Sequence, residues 1–529
     1  MRVEAQTERL CFFVALAVTG AVLWLVPVLP FQDFPNHLHV LEVERALRAG
    51  SDIAFLRTRE GWFFGYSLYL LPSRALPWLD VEQALRLVVL ISALGLPLAA
   101  RALAGELGAP KEWVGLLSLP LALSWPLRMG LLPYVLALPL LLLATRFLVR
   151  ACRASRGASV ALTLAASACY LAHPLAFGWL LALGFVAGVT LAPRRVRAIG
   201  TCALALTPGL LMAGWDVAHG AFRQIAGTQH TWEPSPLYFR PLARAVAQLV
   251  TRSWGVTDGA TGLLLLPFLL LLAWLTFLRL GQRAGASPEQ RFCVAAVVLG
   301  VLMGLFMPGS LGTTWALGDR MAMLGPLFLP LVLASTAEQG SRRLRGALLA
   351  GVVLALGAGQ VEVAAQAQHL ERIVGDARGA RLSGRFLTFR ASDCDHGLRS
   401  RSWGHYDPQR HAWAYALGSG GVTPYFFAFA HYLPVVYDGE QFARGLRAPA
   451  EWDANAWRRR GDSADCHPWD VRQLQGALRY GDFDGVIAFG EPARMHALAE
   501  SLTGAAEMQW LSEGMLFLRS TTSARTCSP

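Results

Sequence analysis

The sequence predicts an α-helical polytopic membrane protein of about eleven transmembrane helices with a C-terminal soluble α/β domain. Three observations predict it. Of 529 residues, 54% are hydrophobic and only 16% charged, against about 25% charged in a soluble domain. The apolar residues gather in runs long enough to cross a bilayer. The basic residues alternate between loops as membrane topology requires.

The first run, residues 11–30, carries no charge over 20 positions. Further runs follow and no small-residue cleavage site ends it, so it reads as an uncleaved first span. The other spans are placed near 84–103, 112–127, 129–147, 157–172, 174–193, 198–215, 259–278, 292–308, 321–337 and 345–364. The stretch 157–193 has 37 residues without Asp, Glu, Lys or Arg, and His173-Pro174 supplies the break that divides it.

With a cytoplasmic N-terminus, the inside loops hold Arg101 and Lys111; Arg146, Arg150, Arg153 and Arg156; Arg194, Arg195 and Arg197; Arg279, Arg283 and Arg291; and Arg342, Arg343 and Arg345. The short outside connections hold only Arg128 and Arg320. An odd number of spans places the C-terminal region outside, in the periplasm of a bacterial inner membrane. The net charge of +11 follows from this topology, and no nucleic-acid partner is expected.

Three outside regions are long: 31–83, 216–258 and a C-terminal domain, 366–529, which follows a membrane domain of 1–365. In the C-terminal domain, 385–390, 434–438, 485–490 and 515–520 read as strands, and 469–480 and 491–503 as helices. Their alternation predicts a largely parallel sheet. Cys394, Cys466 and Cys527 fall here, and Cys394–Cys466 is a candidate disulfide in an oxidising compartment. Gly418-Ser-Gly-Gly421 reads as a loop, without the Lys-Ser/Thr of a phosphate loop. Asp393, Cys394, Asp395, His396, His405, Asp407 and His411 have a metal-like composition but no zinc spacing, so no metal site is assigned.

The first outer loop carries the chemistry. It begins Phe31-Gln-Asp-Phe-Pro-Asn-His37. Pro35 marks a break and Asn36 is a good N-cap, which predicts a helix from His37 to about Ala49. His37, Leu41, Glu44 and Arg48 share one stripe, with Glu44 and Arg48 a favourable i,i+4 pair. Val40, Val43 and Leu47 form a second stripe that suits the membrane interface, so this helix is expected to lie on the bilayer surface. Asp33, where the first span leaves the membrane, is a candidate general base; the alternative is that it only punctuates the span end. His37 is placed to donate to a phosphate or to orient Asp33. His173 and Arg128, on the same membrane face, are phosphate candidates or interfacial anchors. In the second loop, His219, Arg223, His230, Trp232, Glu233 and Tyr238 suit sugar stacking or an aromatic belt, and Asp258 suits a cap.

These features resemble the GT-C superfamily of polytopic glycosyltransferases that use polyprenyl-phosphate sugars. Asp33-Phe-Pro-Asn-His37 resembles the acidic motif at the start of their first outer loop. The loop's length is similar, with an interfacial helix at 37–49 and another near 62–72. Met129-Gly-Leu-Leu-Pro-Tyr-Val-Leu-Ala-Leu-Pro and His173-Pro-Leu-Ala resemble segments of bacterial GT-C-like proteins, and Asp319-Arg320 resembles a late outer-loop arginine of the group. The resemblance covers 1–365. It implies an inverting transfer in which Asp33 deprotonates the acceptor and Arg320 and His37 neutralise the leaving polyprenyl phosphate; Arg128, His173 and Glu44 are further binding candidates by their position rather than by the resemblance. It implies a polyprenyl-phosphate sugar as partner beside membrane lipids, a glycan, lipid or protein acceptor, and no resident cofactor, a divalent metal being compatible. Many such enzymes carry a second acid near the first; here Gln32 and Phe34 flank Asp33, and the next acids are Glu42 and Glu44. Two other readings stand beside this one: a non-enzymatic scaffold or glycan-binding protein, and a secondary transporter or flippase, against which no internal repeat and few charges within spans speak.

Overall fold

The architecture comes from a computed structural model that describes residues 2–53, 55–59, 64–153, 155, 157–191, 195–219, 242–253, 259–281, 287–308, 317–391, 411–424, 434–438, 474–476, 478 and 483–521. The apolar runs are helical. In chain order the helices are α1 (Arg2–Leu25), α2 (Phe34–Arg48), α3 (Leu71–Ala75), α4 (Val81–Glu106), α5 (Lys111–Ser118), α6 (Trp125–Arg128), α7 (Leu132–Cys152), α8 (Ala158–Ala172), α9 (Pro174–Thr190), α10 (Arg195–Ala218), α11 (Leu242–Ser253), α12 (Gly259–Gly281), α13 (Pro288–Phe306), α14 (Leu317–Met321), α15 (Leu324–Gln339), α16 (Arg342–Val374) and α17 (Pro492–Ser501). Among the described residues, α1, α4, α7, α10, α13, the α14–α15 stretch and α16 are the seven long and apolar enough to cross a membrane. Shorter apolar helices lie at Ala158–Ala172, Pro174–Thr190 and Gly262–Leu278.

The break at His173-Pro174 is present: His173 is extended and Pro174 opens α9. The expected span at 112–127 is not one continuous helix. A 3-10 turn, Leu119–Leu123, and an extended Ser124 separate α5 from α6. Pro120 and Pro126 each stand in the first turn of a helical segment, where their missing N–H costs nothing.

One end of the bundle is rich in arginine. Arg101 pairs with Glu112 at 2.7 Å, Arg153 with Glu289 at 2.6 Å, and Arg146 approaches Glu106 at 3.8 Å. These pairs gather the end of α4, the start of α5, the end of α7 and the start of α13 on one side. At the opposite end α1 stops and the chain turns towards Asp33. Arg86 of α4 donates to the carbonyls of Trp24 (3.1 Å), Val26 (2.9 Å) and Pro27 (2.8 Å). It thereby satisfies acceptors that a helix end leaves unpaired, and Glu82 balances its charge at 2.8 Å.

The C-terminal domain stands at this end. Its strands are β2 (Leu382–Ala391), β3 (Leu417–Val422), β5 (Gly485–Gly490), β6 (Ala506–Ser512) and β7 (Met515–Ser520); β1 (Leu56–Thr58) and β4 (Val435–Tyr437) pair separately. The five-stranded order is β3-β2-β5-β7-β6. β2 is parallel to β3 and β5, whereas β7 is antiparallel to β5 and β6. The sheet is therefore mixed, where a largely parallel one was expected: a tight turn at 513–514 returns β6 into β7 and needs no crossover helix. Both faces are covered, as continuous apolar strands require. Phe386, Ile487, Phe489, Met515 and Phe517 join the core of the bundle, while Leu387, Val486, Ala488, Leu516 and Leu518 pack with Met495 and Leu498 of α17.

Two expectations are corrected here. Gly418-Ser-Gly-Gly421 is not a loop but most of β3. It lies so close to β2 that a Cβ on Gly421 would stand 2.5 Å from the Leu382 carbonyl oxygen, so packing overrides glycine's poor strand preference. The second stripe of α2 does not face the membrane interface. Val40 and Val43 pack with Ile53, Leu56, Val422 and Val435, whereas Phe34, Leu38 and Leu41 join the bundle core. Helix α2 is therefore a wedge between two cores. Burying each valine contributes about 1.5–3 kcal/mol, and β1 pairing with β4 adds a ladder on the same seam.

Candidate active site

The wedge places Asp33. Helix α2 starts at Phe34, with Pro35 in its first turn and Asp33, not Asn36, at the N-cap. Proline's fixed φ suits a first helical turn, so Pro35 begins the helix and Asn36 lies within it. The backbone of the preceding turn is held by the connection between α6 and α7. Gln32 N–H donates to the Arg128 carbonyl at 2.9 Å, and Asp33 N–H to the Met129 carbonyl at 3.1 Å. Gly130 makes this approach possible. Its φ is +73°, and a Cβ there would lie 2.8 Å from the Asp33 nitrogen and 2.9 Å from that of Phe34.

Asp33 is buried. Its Oδ1 lies 3.4 Å from Nε2 of His411 and 3.4 Å from Nε2 of Gln32. One turn along α2, His37 hydrogen-bonds the Gly130 backbone, and burial pushes its pKa down to about 4 against the pull of Asp33. His37 is therefore neutral at neutral pH, and it packs edge-on against Tyr69 at 5.2 Å.

On the other side of α2, Nε2 of His39 lies 2.9 Å from the Gly421 carbonyl. The carbonyl accepts, so this nitrogen carries the proton. Burial pushes His39 down to about 4 as well. Trp413 packs edge-on against His39 and His411, with ring centroids 6.4 and 5.9 Å away. Glu44 lies further along the helix, at 2.5 Å from Arg74 and 2.8 Å from Arg48. Arg45 adds hydrogen bonds to the carbonyls of Leu79 (3.0 Å) and Ser73 (3.1 Å). Together they clamp α2 to the 71–79 segment.

A second cluster lies beside the first, reached through Tyr69 and Tyr66 on one segment and Gly130 and Tyr134 on another. His173 packs edge-on against Tyr66 and Tyr134, with centroids 4.7 and 5.2 Å away. Tyr134 donates to the Arg320 carbonyl at 2.5 Å. His173 Nδ1 accepts from the Leu175 N–H at 3.1 Å, while its Nε2 faces Arg320 Nη1 at 3.2 Å. Arginine can only donate, and a neutral imidazole has one acceptor nitrogen. With Nδ1 accepting, Nε2 bears hydrogen, so two donors point at one another. An anionic oxygen placed to one side of the pair, bridging the two nitrogens, would accept from both. Arg320 Nε has no hydrogen-bond partner among the described residues.

The same cluster holds a buried acid that the sequence reading assigned only to a loop. Asp216, at the end of α10, accepts from Arg59 at 3.0 Å, from the Gly65 N–H at 2.9 Å and from the Tyr170 hydroxyl at 2.6 Å. The signal that could have found it was an aspartate adjoining the apolar run 198–215 in a chain whose spans hold few charges.

The structure thus brings Asp33 and His37 together, and His173 with Arg320. It sets two candidates apart from them. The Arg128 guanidinium is turned to Glu362 of α16 at 2.6 Å and to the Leu123 carbonyl at 3.0 Å, although its backbone supports Gln32. Glu44 is engaged by two arginines. His219 stacks on Trp215 at 3.9 Å. Arg223, His230, Trp232, Glu233, Tyr238, Asp258, Asp393, Cys394, Asp395, His396, His405, Asp407, Cys466 and Cys527 lie outside the described residues, as does part of the expected helix near 62–72. Among the described residues, no group of three His, Cys, Asp or Glu side chains is placed to hold a metal.

No protein-family model matches the chain, and no curated protein matches it. Solved structures do. ArnT from Cupriavidus metallidurans in the apo state aligns over 97% of this chain and 98% of its own, with a TM-score of 0.52 at 12% identity. The same protein bound to undecaprenyl phosphate aligns over 98% and 99%, with a TM-score of 0.47 at 11% identity. The likeness runs the whole length of both chains.

Proposed function

We propose, from the GT-C fold that this chain shares with ArnT and from its site chemistry, that it is a membrane glycosyltransferase. The donor is a sugar on polyprenyl phosphate, and the acceptor is a glycan, lipid or protein at the outer face of a bacterial inner membrane. The N-terminus and the arginine-rich end are then cytoplasmic, and the C-terminal domain is periplasmic.

The observation that carries the reading is the opposed donor pair of Arg320 and His173 beside a buried carboxylate. Asp33 takes a proton from the acceptor hydroxyl or amine. The acceptor atom forms a bond to the anomeric carbon, and the bond from that carbon to the phosphate oxygen breaks. The electron pair leaves with polyprenyl phosphate. Arg320 and the Nε2–H of His173 donate to the oxygens on which charge accumulates, the kind of preorganised stabilisation that lowers such barriers most. A single displacement inverts the anomeric centre. His37, neutral and tied to Gly130, orients the turn that carries Asp33. Arg128 and Glu44, binding candidates by sequence, act here as supports for that turn and for α2.

The test uses protein in nanodiscs, incubated with a panel of polyprenyl-phosphate sugars, with release of polyprenyl phosphate followed by mass spectrometry. Wild type is expected to release it, and Asp33→Asn to do so about 10³-fold more slowly at unchanged melting temperature. Equal rates in the two proteins would remove Asp33 from the mechanism.

A further inference from the structure

One of the contacts to the Asp33 carboxylate is made by a residue of the other domain. His411 precedes the 3-10 turn Ala412–Ala416, and its Nε2 lies 3.4 Å from Asp33 Oδ1. The ring is buried, and Trp413 packs edge-on against it. That turn is fixed by domain docking: the His39 contact with Gly421, the β1–β4 ladder and the shared core of Val40, Val43, Val422 and Val435 all tie α2 to the C-terminal domain.

A carboxylate removed from water stays ionised only if donors replace the water. The bundle supplies the Gln32 amide at 3.4 Å and, one turn on, His37, which is neutral and tied to Gly130. From α16 and the turn after it, Glu371 and Arg378 face Tyr415 and pair with each other at 3.6 Å, and Arg378 also pairs with Glu82. On β3, Gly421 is engaged by His39. Resting on the reading of Asp33 as base, we propose that His411 is a positioning residue for Asp33, so that docking of the C-terminal domain completes the active site. His411 Nε2–H, or its imidazolium form, donates to Asp33, holds the carboxylate in line and keeps it ionised to lower pH. The domain thereby contributes to the rate itself and not only to acceptor recognition.

Two polar variants separate this role from packing. Glutamine reaches the position of Nε2 with an N–H, whereas asparagine stops short of it. The measurement is the pH profile of kcat/KM for polyprenyl-phosphate release in nanodiscs, with Asp33→Asn alongside. His411→Asn is expected to lose about 10- to 100-fold in kcat/KM. Its acid limb should move about one unit to higher pH, because the carboxylate has lost a stabilising donor. His411→Gln should stay within about threefold of wild type, with the limb in place. Acid limbs that coincide in wild type and both variants would overturn the proposal whatever the rates, since a merely structural role leaves the limb unmoved. A fully active Asp33→Asn would instead sink the reading of the base. An inactive Asp33→Asn with an unmoved limb in His411→Asn would sink only the role of His411.

Discussion

Asp216 and Asp33 are buried at the same end of the bundle, yet the chain surrounds them differently. Asp216 faces Arg59, a permanent cation, together with a backbone N–H and the Tyr170 hydroxyl, all at 2.6–3.0 Å. Asp33 faces His411 and Gln32 at 3.4 Å, with His37 one turn away. The partners of Asp216 cannot change charge near neutral pH, and their geometry is tight. Those of Asp33 include a glutamine amide and an imidazole, both at longer range. The first carboxylate is built to stay as it is, holding the first outer loop to α10. The second, on the proposed reading, exchanges a proton with the acceptor. Residue type and depth are shared; the partners differ.

This contrast can be broken by substitution. Asp216→Ala should cost about 2–3 kcal/mol of stability, because it leaves the Gly65 N–H, the Tyr170 hydroxyl and the half-buried Arg59 without their acceptor. Donor turnover per folded molecule should then fall far less than in Asp33→Asn. Thermal melting and turnover measured on both variants decide the matter, and a stable but inactive Asp216→Ala would reverse the assignment. Gly130→Ala should cost about 2 kcal/mol or more, since it combines a positive φ with a Cβ pressed against the Asp33 backbone. Its turnover should drop with its stability, as the turn carrying Asp33 must shift.

The smallest effect is one of pH. His39 titrates near 4 in the fold and near 6.5 when unfolded. Between those values the unfolded chain binds the extra proton, so stability falls as pH drops from 6.5 towards 4. His39→Gln keeps an N–H for the Gly421 carbonyl but removes the titration. Going from pH 7 to 5, it should lose about 2 kcal/mol less stability than wild type. Glu42, which burial pushes up to about 7, works in the opposite sense in both proteins and cancels in the difference. Parallel melting curves across that range would show that His39 is not sealed in the seam.

Much of this was legible in the sequence. Charge-poor runs and alternating arginines gave the helical bundle and its two ends, and Asp33 stood out because a lone acid at the mouth of a span is costly unless used. The seam was not legible. Periodicity shows that Val40 and Val43 form an apolar stripe, but not whether lipid or protein covers it. Gly418-Ser-Gly-Gly421 has loop propensities that only the neighbouring β2 overrides. His411 sits among residues of metal-like composition, and nothing local says that its partner is Asp33, 378 positions earlier. Asp216 lay one residue past the assigned end of a span, and its three donors come from two segments far from it in the chain, 59–65 and α8. Local pattern thus gave the scaffold, whereas the pairings that set the chemistry are long-range.

The ladder between β1 and β4 has a consequence in time. Leu56 pairs with Tyr437 and Thr58 with Val435. A chain made from its N-terminus inserts its helices one by one, and the first outer loop must wait for the last domain before its strand finds a partner. Closing so long a loop is entropically slow. Newly made protein should therefore pass through a stage with every helix in the membrane and no working site. Maturation, rather than insertion, is the step at which this chain becomes competent.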